Sequence, residues 1–196
     1  MLFYIKGKLI KKSPVHAVID TGVVACMFQI SLNTFGRLPD QGDVRLFTHF
    51  HVNGNDFSLV LYGFVEETER DVFRKLISVS GVGPNTARMV LSSLSVSEIR
   101  QVIATKDVGS LKRIKGIGEK TAERIIVDLH DKIAKGSELG TEIIAPLHNT
   151  QKMEALAALS SLGLDKTKTE KLLDRIVIQN DSLTLEEMIK QVLKQI

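Results

Sequence analysis

Three observations point to a multi-domain α+β protein. The first 64 residues run in short apolar-alternating stretches broken by turn residues, which is the period of β-strands. The middle carries one helical pattern twice. Leu76, Val79, Gly81, Val82, Gly83, Thr86, Ala87, Val90, Leu91 and Leu94 are answered 35 positions later by Leu111, Ile114, Gly116, Ile117, Gly118, Thr121, Ala122, Ile125, Ile126 and Leu129. Residues 136–150 have neither period, and 151–196 return to helical spacing. The expected divisions are therefore a β-barrel over 1–64, an all-α domain over 65–135, a flexible linker over 136–150 and a three-helix bundle over 151–196.

In the first segment, strands are expected over 1–12, 15–20, 23–32, 44–52 and 57–64, punctuated by Ser13-Pro14, Thr21-Gly22, Leu38-Pro39 and Asn53-Gly54. Five short strands suit an oligonucleotide/oligosaccharide-binding (OB) type barrel. Nine of the ten aromatic residues fall here, and their β-branched neighbours argue for core packing over base stacking. His49 and His51 share one strand face, but no third ligand is in view, so no metal site is expected. The exposed tip is the Asn-Gly hairpin that carries Asn55 and Asp56.

The helical segment opens at Glu66 with acidic residues where the helix dipole welcomes them. Each repeat then reads as helix, turn, helix. The first helix ends at Ser80 or Lys115, a Gly-apolar-Gly turn follows, and the next helix starts at Pro84 or Glu119. Paired glycines allow positive φ and leave backbone N–H groups bare beside the unsatisfied donors of the following helix, a place that attracts an anion. A single such turn is more often an ordinary helix cap. Two at matched spacing, with Lys112, Arg113, Lys115, Lys120 and Arg124 around the second, point to two phosphates of a nucleic-acid backbone. The pattern lacks the third glycine of a dinucleotide-binding loop, and no Gly-x-x-x-x-Gly-Lys phosphate loop occurs, so the chain carries no recognisable ATP site.

Charge follows the same divisions. Residues 1–64 hold six basic and four acidic side chains, 65–135 thirteen and ten, and 136–196 seven and nine. The surplus of cations in the first two segments suits a polyanion, and the acidic last segment suits another partner. There, Leu159, Leu162 and Leu164 are either core or an apolar patch for a partner protein. A single cysteine, Cys26, precludes an internal disulfide and reads as a buried thiol. The first six residues are too short an apolar run for a signal peptide, and no stretch approaches the ~18 apolar residues of a membrane span. A cytoplasmic protein without a membrane segment is expected.

The order of barrel, tandem helix-hairpin-helix, linker and three-helix end resembles the RuvA family of Holliday-junction-binding subunits over essentially the whole chain. Thr48-His49-Phe50, Leu61-Tyr62-Gly63-Phe64, Gly81-Val82-Gly83-Pro84 and Gly116 to Asp128 carry the likeness. The resemblance implies a homotetramer, alone or as two face-to-face tetramers, holding a four-way junction open in recombination and repair. It implies a RuvB ATPase hexamer docked on the third domain, the RuvC resolvase as a further partner, and no cofactor. By matching position, the backbone of Gly81, Val82, Gly83, Gly116, Ile117 and Gly118 would hold phosphates, with Asn85, Thr86, Lys120, Thr121 and Arg124 in support. Leu159, Leu162 and Leu164 would face the motor, and Asn55 and Asp56 would form an acidic pin at the crossover. The tip has one carboxylate where the family usually has two, and Asn85 stands where a lysine is common. The second departure implies a first hairpin that relies more on backbone dipoles.

Two other classes remain open to the residues themselves. A helix-hairpin-helix repair enzyme would need a lysine nucleophile or a carboxylate cluster beside a hairpin; Asp128 and Asp131 at i, i+3 read as a solvated face. A single-strand binder of the barrel class would prefer oligo-dT to a junction.

Overall fold

The computed structural model describes residues 2–54, 57–134, 147–179 and 183–195. They fall into two units, Met1–Gly140 and Thr141–Ile196. The first begins with strands β1 (Tyr4–Lys12), β2 (His16–Asp20), β3 (Ala25–Gln29), β4 (Gly42–Val52) and β5 (Leu59–Phe64). They close into a barrel in the order β1-β2-β3-β5-β4, with every pairing antiparallel except β3 against β5. Leu9, Ala17, Ile19, Phe28, Val44 and Leu46 point inward and fill it.

The alternation predicts strand through Leu32, yet the chain turns there into helix α1 (Leu32–Arg37). The cause is local. Ser31 is a good N-cap, and its side chain accepts from the Thr34 N–H.

Helix α2 (Glu67–Ile77) lies across the outer face of β4 and β5. The Phe73 ring sits 4.8 Å from Tyr62, 5.1 Å from Phe64 and 5.3 Å from His49, centroid to centroid. Tyr62 and Phe64 thus belong to the helical core, while Leu46 and Leu61 face the barrel. The β4–β5 ribbon is buried on both faces, so barrel and helices share one wall.

Two charged residues of α2 are buried at this wall. The Glu69 carboxylate accepts from the hydroxyls of Ser31 at 2.5 Å and Thr34 at 2.8 Å, tying α2 to α1. Arg70 donates to Glu67 at 2.7 Å and lies over the Phe3 ring at 4.5 Å. Both satisfy the rule that a buried charge must be paired or hydrogen-bonded.

Helices α3 (Pro84–Ser93), α4 (Val96–Ala104), α5 (Val108–Lys112) and α6 (Glu119–Ala134) complete the unit. Ser95 and Glu98 form a reciprocal capping box on α4, as their spacing predicts. The repeated apolar positions, from Leu76 and Val79 to Ile126 and Leu129, all enter one core.

The second unit holds α7 (Leu147–Ser161), α8 (Lys166–Gln179) and α9 (Leu185–Leu193), the last started by a Thr184–Glu187 capping box. Its core includes Ala155, Leu159, Leu173, Ile176, Met188 and Val192. Helix α7 begins at Leu147, inside the stretch expected as linker. Residues 136–146, the rest of that expectation, lie outside the described residues, as does residue 135.

Candidate nucleic-acid interface

The two repeats share the same turn hydrogen bonds and the same glycine conformation. Helices α2 and α5 stop at Ile77 and Lys112, three residues before the ends read from periodicity. Tighter turns take over there: the Val79 and Ile114 N–H groups each bond three residues back, to Leu76 O and Leu111 O at 3.1 Å. Gly81 and Gly116 follow with φ of +88° and +91°, the left-handed conformation that ends a helix. Gly83 then caps α3 in an extended conformation, and Gly118 holds the same place before α6.

Within each turn the three residues have different roles. The side chains of Val82 and Ile117 are 5% and 6% exposed. Their N–H groups are occupied by Val79 O at 3.0 Å and Ile114 O at 3.1 Å. This corrects the expectation that all three residues offer bare donors, because the apolar residue anchors the turn inward and spends its N–H on it. Gly81, Gly83, Gly116 and Gly118 are exposed, and their N–H groups have no backbone partner among the described residues. Asn85 and Lys120 are exposed beside them, and Thr86 and Thr121 half-buried. A Cβ added at Gly83 or Gly118 would meet nothing within 4 Å, so open space lies over each helix start.

The cations around the second turn are divided by the fold. Arg124 Nη1 donates to Ser80 O at 3.3 Å and Ser80 Oγ at 3.2 Å, so this side chain of α6 reaches the first turn. Lys112 Nζ donates to Glu119 Oε1 at 3.1 Å. Arg113, Lys115 and Lys120 have no ion-pair partner among the described residues. The second turn therefore offers fewer unengaged cations than its sequence suggests. Ser80 was missed as a participant, and nothing in the linear spacing marks a pairing 44 residues apart.

Elsewhere the site residues are scattered. Asn55 and Asp56 lie outside the described residues, as does the Asp131 side chain. The His49 and His51 rings stand 6.3 Å apart on one face of β4, as expected. Burial, with Arg74, His51 and Arg70 nearby, lowers the His49 pKa, so that ring adds no positive charge at neutral pH. Leu159 is wholly buried in its bundle core and Leu164 packs against that core. Leu162 alone of the three is broadly exposed, at 63%. Of the two readings open to Leu159 in the sequence, the structure has the core one.

Fold and turns together define a barrel-plus-tandem-helix-hairpin-helix protein. Family models agree across the chain: the RuvA N terminal domain matches residues 1–63, the SAM-like helix-hairpin-helix tandem 73–131 and the RuvA C-terminal domain 152–196. The chain belongs to the RuvA family. Relatives named Holliday junction branch migration complex subunit RuvA include those of Christiangramia forsetii and Flavobacterium psychrophilum, each 44% identical with all of both chains covered. The Bacteroides fragilis relative is 39% identical, also over all of both chains.

Proposed function

We propose that this chain is a non-catalytic DNA-binding subunit that grips four-way junctions through the two glycine turns. The observation that carries the reading is the matched pair of turns, each with exposed glycine N–H groups at a helix start. Phosphates of one duplex arm fit such donors without base readout, as expected of a protein that must hold any sequence. The fully covered relatives named as branch migration complex subunits support the junction as substrate.

In this reading four copies form a symmetric tetramer with one junction arm per subunit, singly or as two facing tetramers. Residues 1–135 hold DNA, and the one carboxylate of Asn55-Asp56 repels phosphates at the crossover. Residues 151–196 recruit a RuvB hexamer, which hydrolyses ATP for both, and RuvC joins at the same junction. Exposed Leu162 is the motor contact, supported from beneath by Leu159 and Leu164. The protein works in the cytoplasm; no described helix is long and apolar enough to cross a membrane.

The test is gel-shift competition among a four-way junction, linear duplex and oligo-dT at one fixed salt concentration. Junction preference is expected. Tighter binding to duplex or to oligo-dT overturns the reading, the latter in favour of a single-strand binder.

A further inference from the structure

We infer that Glu119 limits the grip of the second turn on a DNA backbone by holding Lys112 in an ion pair across the mouth of that turn. This rests on the DNA-binding reading and concerns the regulation of the same site. Lys112 is the last residue of α5 and Glu119 the first of α6, so the pair brackets residues 113–118. Its side chains are 43% and 65% exposed, so burial does not force them together. At the matching positions of the first repeat stand Ile77 and Pro84, which carry no charge. The ion pair is therefore an addition to the turn and no requirement of its geometry.

Glu119 also occupies the positive end of α6. A carboxylate is favourable there in the free protein, and the same field would draw a phosphate. Carboxylate and phosphate compete for one helix end and for one lysine. The consequence is a shallower electrostatic well at the second turn. A subunit whose duplex arms must advance past it is served by such a limit, because each phosphate has to leave as well as bind.

The experiment compares junction binding by the full chain and by Glu119→Gln, Lys112→Gln and the double variant, over a series of salt concentrations. Glu119→Gln should bind about 1.5-fold to fivefold more tightly at low salt. Its plot of log affinity against log salt should steepen by about 0.9, the mark of one added phosphate contact. Lys112→Gln alone should leave that slope unchanged, and adding it to Glu119→Gln should remove the steepening, leaving only the smaller gain of the freed helix end. Glu119→Ser, which also suits a first helical turn, replaces Glu119→Gln if the latter melts early.

No gain in either Glu119 variant, or a steepened slope that survives loss of Lys112, overturns the inference. The two failures are separable. An unmodified chain without junction preference defeats the functional reading itself; a chain with that preference but no tightening on loss of Glu119 defeats only the role of this residue.

Discussion

Gly116 and Gly118 are two residues apart and demand different things of the chain. Gly116 sits at φ +91°, so Gly116→Ala should cost about 1–2 kcal/mol in a denaturant melt, although its Cβ would touch nothing. Gly118 has no such constraint, and its place before α6 is one where aspartate is a favoured cap. Gly118→Asp should therefore keep or raise the melting temperature and leave the assembly state unchanged on sizing, while junction affinity falls more than tenfold. Retained affinity would mean that the turn is a cap and nothing more. The importance of both glycines was legible in the sequence because their spacing repeats. Which glycine is conformational and which is open was not legible, since that depends on a dihedral angle and on neighbouring atoms.

The helices and strands were largely legible, because apolar periodicity reports which face of an element is buried. The exceptions have local causes: α1 hides behind a strand-like run, and α2 and α5 end early in tight turns. What joins the elements was not legible. The clasp of Glu69 on Ser31 and Thr34 links residues 38 and 35 positions apart, and only packing of α2 on the barrel brings them together. Burial raises the Glu69 pKa despite these two hydrogen bonds and the nearby Arg37. The folded state therefore takes up this proton at a higher pH than the unfolded chain does. The contribution to stability is greatest below the ordinary carboxylate value of 4.5 and declines as pH rises toward the folded value. Urea melts across that window should show this decline, and Glu69→Gln should flatten it. An unchanged slope would show that Glu69 is not the group responsible. Glu69→Ala should cost roughly 1–3 kcal/mol, because it strands two buried hydroxyls.

The two units carry separate cores, so a chain ending at Gly140 should fold and keep junction binding while losing stimulation of the motor. Lost binding on that truncation would contradict the division of labour. Within the second unit, Leu162→Asp should abolish motor stimulation with little change in melting, because that side chain is exposed. Leu159→Ala should instead destabilise the bundle by about 2–5 kcal/mol, as expected for truncating a buried leucine. The sequence by itself determined the order of barrel, repeated hairpins and helical end, because periodicity and duplication are properties of the linear chain. Only the tertiary structure decided which donors are spent: Val82 and Ile117 inward on their own turns, Arg124 on Ser80, Lys112 on Glu119. The physical reason is that hydrogen bonds and ion pairs form between neighbours in space, and a count of cations along a sequence cannot show which are already engaged.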